Sequence, residues 1–86
     1  MTNLIKKYID KLTIEDIKNY SLKNNIILSQ QELIFIYDII KNDYNKLLSN
    51  DYEEILDKLK NNLSTDNYYK VTNLFLKYKK EYGHLL

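Results

Sequence analysis

Apolar residues recur along most of the chain at the three- and four-residue spacing of a helix, and the alternation typical of a strand is hard to find. The first apolar stripe consists of Leu4, Ile5, Tyr8, Ile9 and Leu12. Such a stripe is typical of an amphipathic helix that buries one face. Because no Pro interrupts the chain, the pattern predicts an all-α fold that begins with this helix.

Two short segments, "LTIED" and "LSQQE", share a pattern that is typical of helix starts. In each segment a hydroxyl residue is followed three positions later by an acid. This is the capping box, in which each side chain bonds to the backbone amide of the other residue. Thr13 with Asp16 therefore predicts the start of a second helix that runs to about Lys23. Ser29 with Glu32 predicts the start of a third.

The segment between these two helices predicts a turn and a short connector. Asn24 and Asn25 favour the left-handed turn that ends a helix, and residues 26–28 then form an extended connector. The third helix, from about Gln30 to Asp43, is apolar almost all round. A helix of this kind is usually covered by neighbours, so we expect it to be central.

A loop or frayed turn over residues 42–49 precedes the fourth helix. Asn50 with Glu53 predicts a further capping box, and Ser49 is the competing cap. The asparagine pair at 61–62 is expected to end this helix. Its apolar stripe consists of Tyr52, Ile55, Leu56, Leu59 and Leu63.

The fifth helix is predicted to begin at Ser64 or Thr65, either of which can supply the capping hydroxyl. Gly83 is well placed to stop it, because Gly is favoured just after a helix. The apolar stripe of this helix consists of Tyr68, Val71, Leu74, Phe75, Tyr78 and Tyr82. The whole pattern predicts a compact bundle of about five short helices in one domain, residues 1–86.

The residue types that most enzymes need are scarce in this chain. It has no Cys and one Gly, and its only His is His84, two positions from the end. This composition argues against a thiolate metal site, a glycine-rich phosphate loop and a histidine base. Acids cluster at Asp51, Glu53, Glu54 and Asp57, but helix starts favour negative charge. We therefore expect no enzyme activity, no cofactor and no metal.

Charge and hydropathy predict no membrane association. The formal net charge is +1, so no strong field of either sign is expected. The longest apolar run, residues 33–37, is far shorter than the roughly 20 residues of a membrane span. No signal peptide is recognisable at the N-terminus, and we expect the protein to be cytoplasmic.

Two features favour nucleic-acid binding. Lys70, Lys77, Lys79 and Lys80 lie near the C-terminus with tyrosines between them, and basic residues with interleaved aromatics bind nucleic-acid strands. An ordinary solvated helix face explains the same lysines. The chain also has no Arg, which is the commonest side chain in guanine recognition.

The segment from residue 12 to residue 40 resembles the SAP-type DNA-binding motif, a helix, an extended connector and a helix. Asn25 stands where that motif usually has Gly, and Gln31 and Glu32 stand where it usually has basic residues. Because an acid at a helix start repels phosphate, the shape of the motif can be present without its activity. Nucleic-acid binding is therefore the second of two predicted functions.

The first predicted function is contact with another protein, or with a second copy of this chain. Small helical bundles bind in this way through a helix face or groove. Two tyrosines fall off the apolar stripes, and three leucines have no place on an inner face. The predicted contact residues are Tyr44, Tyr69, Leu76, Leu85 and Leu86.

Three segments resemble a small helical family of Bacillus-type bacteria, the YqfT-like proteins. They are "LTIEDIKNYSLKNNIILSQQE", "SNDYEEILDKL" and "VTNLFLKYKK", which span roughly residues 10–80 in the order of the family. The resemblance implies a helical fold and a bacterial origin. It implies no activity, cofactor or site residue, since the family has no assigned function.

Overall fold

Five helices follow one another in the computed structural model of this chain: α1 (Thr2–Lys11), α2 (Ile14–Lys23), α3 (Gln30–Leu48), α4 (Glu53–Asn62) and α5 (Thr65–Tyr82). The structure describes residues 2–49 and 51–82, and of residues 2–5, 48 and 82 the backbone only. No strand occurs in these two ranges. The predicted all-α fold with five helices is therefore confirmed.

Both predicted capping boxes are present at the starts of α2 and α3. Thr13 Oγ1 accepts from the Asp16 amide at 3.1 Å, and Asp16 Oδ2 accepts from the Thr13 amide at 3.0 Å. Ser29 Oγ and Glu32 Oε1 make the same pair of bonds at 3.1 and 2.9 Å. These bonds satisfy amides that the first turn of a helix leaves without partners.

The turn after α2 has the left-handed geometry that the asparagine pair predicts. Asn25 has a φ of 61°. The amides of Ile26 and Asn25 donate back to the carbonyls of Ser21 and Leu22 at 2.9 and 3.1 Å. This Schellman arrangement reverses the chain and buries the side chain of Ile26, the first residue of the connector.

The third helix is longer than predicted. It was expected to end near Asp43, but it continues to Leu48 with a kink at Asp43, where φ is −121° and ψ is 19°. The prediction of a loop over 42–49 was therefore wrong. Two contacts made by the second part of the helix explain the difference: Leu47 packs against the core, and the Lys79 ammonium lies 2.6 Å from the Ser49 carbonyl.

The predicted cap of α4 is also incorrect. This helix begins at Glu53 with Tyr52 at the N-cap position, and no described side chain bonds to its first amides. Ser49 closes α3 by donating to the Lys46 carbonyl, while Asn50 lies outside the described residues. For α5, Ser64 is the cap, since its Oγ accepts from the Asn67 amide at 3.2 Å. The predicted stop at Gly83 lies outside the described residues.

The core lies where α2, α3 and α4 meet. It consists of Ile17, Leu33, Ile36, Ile39, Ile55, Leu59 and Leu63, all of which are buried. The α3 helix is central, because α1, α2 and α4 all pack against it. The α5 helix packs mainly against α4, so it has an inner side toward the bundle and an outer side toward solvent.

Candidate interaction surfaces

An apolar groove opens on the side of the bundle where α1, α2, α3 and α5 approach one another. It encloses a volume of about 410 Å³, which is within the range of small ligand pockets. Apolar side chains from four helices and the connector line it. The lining includes Leu12, Ile17, Leu28, Ile40 and Leu74. We call this feature the apolar groove.

Two tyrosines form the outer edge of the apolar groove. Tyr8 is 70% exposed and Tyr20 is 43% exposed, although both keep the register of an apolar stripe. The Tyr20 ring lies 6.0 Å from the Tyr78 ring, centroid to centroid. Partial burial, reinforced by the neighbouring Tyr78 hydroxyl, raises the pKa of Tyr20, so the Tyr20 hydroxyl remains a neutral hydrogen-bonding group at neutral pH.

The α1 wall of the apolar groove is held in place by a lysine of α3. The Lys41 ammonium donates to the backbone carbonyls of Ile9 and Asp10. These carbonyls lie at the C-terminal end of α1, where a positive charge is favourable. The same ammonium lies 5.4 Å from the centre of the Tyr37 ring. Lys41 thus fixes the helix that carries Tyr8.

The outer side of α5 is the second candidate surface. The structure places Lys70, Lys77 and Lys80 on it, together with Tyr69 and Leu76, which are 61% and 37% exposed. Residues predicted separately as protein contacts and as nucleic-acid contacts therefore share one helix side. We call this surface, defined by these five residues, the α5 outer face.

The remaining predicted site residues do not belong to the α5 outer face. Lys79 points the other way, toward the end of α3, and its ammonium lies 5.1 Å from the centre of the Tyr52 ring. Tyr44 is half-buried on α3. Leu85 and Leu86 lie outside the described residues.

A buried polar cluster joins the start of α3 to the start of α5. Glu32 is 8% exposed, yet its Oε2 accepts from the Ser64 amide and its Oε1 accepts from Asn67 Nδ2, both at 2.9 Å. Asn67 Nδ2 also donates to the Ile27 carbonyl at 2.9 Å. The sequence pattern predicts the local capping role of Glu32 but not these bonds, which join residues 32 and 35 positions apart.

The hydrogen bonds to Glu32 keep its carboxylate ionised. Burial is the largest single influence and by itself would raise the pKa of Glu32. The donors from Ser29, Ser64 and Asn67 together outweigh burial, and the pKa is lowered below its ordinary value of 4.5. At neutral pH the start of α3 therefore carries a negative charge that neutral donors of the protein hydrogen-bond.

The segment that resembles the SAP motif has the expected shape at its turn but an acid at its helix start. Asn25 adopts the positive φ that Gly provides in that motif. At the start of α3, however, the Glu32 carboxylate is bonded to Ser64 and Asn67 of the following elements. The start of α3 thus carries a carboxylate that is hydrogen-bonded within the protein.

The acidic cluster at the start of α4 forms ion pairs with lysines. Glu54 lies 3.6 Å from Lys46 and 3.8 Å from Lys58, and both pairs are exposed to solvent. Across residues 2–49 and 51–82, no three His, Cys, Asp or Glu side chains come together as metal ligands would. None of the described helices is long and apolar enough to cross a bilayer.

Comparison of the chain with protein-family models, with curated proteins and with solved structures gives no match.

Proposed function

We propose that this protein is a non-catalytic helical module that binds a segment of another protein in the apolar groove. The observation that carries the proposal is an apolar depression, open to solvent, with two exposed tyrosines at its edge. Helical bundles commonly bind an amphipathic helix by placing its apolar side chains in such a groove. We expect this activity in the bacterial cytoplasm, and we propose a relationship to the YqfT-like proteins.

The edge residues suit a binding role. Tyr is favoured at interfaces because its ring offers a large rigid surface with a polar tip. Both the Tyr8 and the Tyr20 side chains stand at the opening of the apolar groove and are accessible to a partner. A partner helix that fills the groove would cover the apolar faces of both rings and leave their hydroxyls at the boundary.

Nucleic-acid binding has less support as the principal function. The Glu32 carboxylate occupies the helix start that the SAP-type motif uses. Lys79 is engaged with carbonyls at the end of α3. What remains in favour of nucleic acid is the set of lysines on the α5 outer face, which is tested separately below.

Affinity capture from the source organism, with mass spectrometry of the bound proteins, tests the proposal. The bait is the wild-type chain in parallel with the double variant Tyr8→Ser/Tyr20→Ser. We expect the wild type to retain a specific partner and the double variant to bind it at least tenfold more weakly, as measured by calorimetry with the purified partner. Losses of this size are typical of interface tyrosines.

The matched control is Ile27→Ser, because Ile27 is 77% exposed and lies outside the apolar groove. This variant should bind the partner like the wild type. Light scattering shows whether the partner is a second copy. A chain that is strictly monomeric and retains no partner would contradict the proposal, as would equal losses in the double variant and the control.

A further inference from the structure

Four exposed residues of α5 form one straight seam along the helix. Tyr69, Asn73, Leu76 and Lys80 follow one another at spacings of four, three and four residues, and all four are exposed. With 3.6 residues per turn, this spacing places them on one line, as at the a and d positions of a coiled coil. Tyr69 and Leu76 take the d positions, and Asn73 and Lys80 take the a positions.

Two further lysines lie beside this seam. Lys70 and Lys77 each follow a d residue directly, which is the e position, where charges select the partner helix in coiled coils. Asp66 lies 3.0 Å from Lys70 and compensates part of its charge. Lys77 and Lys80 form no ion pair with the residues that the structure describes. The α5 outer face thus combines two exposed apolar side chains, Tyr69 and Leu76, with two lysines that form no ion pair with the described residues.

We propose that the α5 outer face binds an acidic amphipathic helix of a partner protein. Apolar side chains of that helix would pack against Tyr69 and Leu76, and its carboxylates would pair with Lys70, Lys77 and Lys80. Charge complementarity of this kind determines which helix pairs with which. The α5 outer face is separate from the apolar groove, so this inference does not rest on the function proposed above.

A second copy of the chain does not fit the same face. In an antiparallel pair of α5 helices, the e positions lie opposite each other, and Lys70 and Lys77 would meet lysines of the other copy. In a parallel pair, the a positions meet, and Lys80 would face Lys80. Because like charges in contact oppose association, the complement of this face is an acidic helix.

Fluorescence anisotropy with a designed probe tests the proposal. The probe is a labelled 21-residue peptide with Leu at a and d positions and Glu at most others, and the control probe has the same composition in scrambled order. We expect the amphipathic peptide to bind and the scrambled peptide not to bind. Binding should weaken as salt rises, because the lysines are exposed.

Two variants of the protein separate charge from apolar contact. The triple variant Lys70→Gln/Lys77→Gln/Lys80→Gln should weaken binding at least tenfold. The double variant Tyr69→Ser/Leu76→Ser should cause a similar loss without changing the salt dependence.

Lysines on other surfaces provide the matched control. Lys7→Gln/Lys18→Gln/Lys60→Gln removes the same charge from exposed positions on α1, α2 and α4 and should leave binding within twofold of wild type. Circular dichroism verifies that each variant is folded.

Three results would overturn the proposal. They are absence of binding to the amphipathic peptide, equal losses in the two triple variants, and tighter binding of a 20-residue oligothymidine than of the peptide. The last result would identify the lysines as a nucleic-acid surface. Tyr8→Ser/Tyr20→Ser should have no effect on peptide binding, so the two proposals succeed or fail independently.

Discussion

The two capping boxes of this protein have the same local chemistry and very different surroundings. At the start of α2, the side chains of Thr13 and Asp16 each accept a bond from the amide of the other residue, and both residues are exposed. At the start of α3, Ser29 and Glu32 make the same two bonds, but Glu32 is buried and accepts two further bonds from Ser64 and Asn67. One box caps a helix, while the other also holds α5 against α3.

This difference shows that the contribution of a capping box to the free energy of unfolding depends on its burial. A donor exposed to solvent finds water when its protein acceptor is removed, so the net loss is small. A buried donor that loses its acceptor has no water to bond to, so the full free-energy cost of its desolvation remains. The comparison therefore predicts that equivalent substitutions in the two boxes differ severalfold in their effect on stability.

The largest effect is expected for Glu32→Ala. This substitution removes the acceptor of the Ser29 and Ser64 amides and one of the two acceptors of Asn67 Nδ2, while the Ser29 hydroxyl still caps α3. We expect a loss of about 3 kcal/mol in the free energy of unfolding, since each unsatisfied buried donor costs about 1–3 kcal/mol. Urea unfolding at pH 7 measures it, and a loss no larger than that of Asp16→Ala would show that the buried bonds contribute nothing.

A smaller loss is expected for Asn67→Ala. Asn67 Nδ2 bridges the Ile27 carbonyl and Glu32, so its removal leaves the carbonyl and one carboxylate oxygen without that donor. We expect a loss of about 2 kcal/mol, again by urea unfolding. The double variant Glu32→Ala/Asn67→Ala should lose less than the sum of the two single losses, because both residues belong to one network. Simple additivity would mean that they act separately.

Asp16→Ala isolates the exposed box and should cost about 1 kcal/mol or less, the usual value for a lost cap interaction. Among the described residues, the side-chain bond lost is the one from the Thr13 amide, which water can replace. The same urea titration measures this loss. A loss as large as that of Glu32→Ala would contradict the predicted difference between the exposed and the buried capping box.

The smallest expected effect concerns pH. Because the pKa of Glu32 is lowered in the folded protein, its contribution to stability is fully present above the unfolded-state pKa. That contribution is lost as the pH falls through the folded-state pKa. Between pH 7 and pH 3, Glu32→Gln should therefore lose less of its unfolding free energy than the wild type does.

Asp16→Asn is the matched control for this pH series, because it retains Glu32. Its unfolding free energy should fall with pH about as steeply as that of the wild type. Equal slopes for Glu32→Gln and the wild type would show that Glu32 does not contribute to acid sensitivity.

Most of the helical layout could be predicted from the chain, and the errors occurred where a distant residue decides the outcome. The starts of α2 and α3 and the turn at Asn25 depend on neighbours within about five positions. The end of α3 was placed too early because Lys79, about 30 residues further on, donates to carbonyls at that end. No pattern among neighbouring residues predicts such a contact.

The two candidate surfaces also differ in how far they could be predicted from the sequence. The sequence predicts the lysines and the two apolar residues of the α5 outer face as contact residues, but as two separate sets. The apolar groove was missed, since its lining comes from four helices and the connector. Tyr8 and Tyr20 keep an apolar register, and only the packing of α1 against α3 leaves them exposed at its edge.

The sequence by itself determined the fold class, because helical spacing and capping act between residues a few positions apart. The tertiary structure decided which of the two capping boxes is buried, where α3 ends and where the helices leave an apolar groove. These outcomes depend on burial and on bonds between distant segments, and the same side chain has a different free energy in water and in the core.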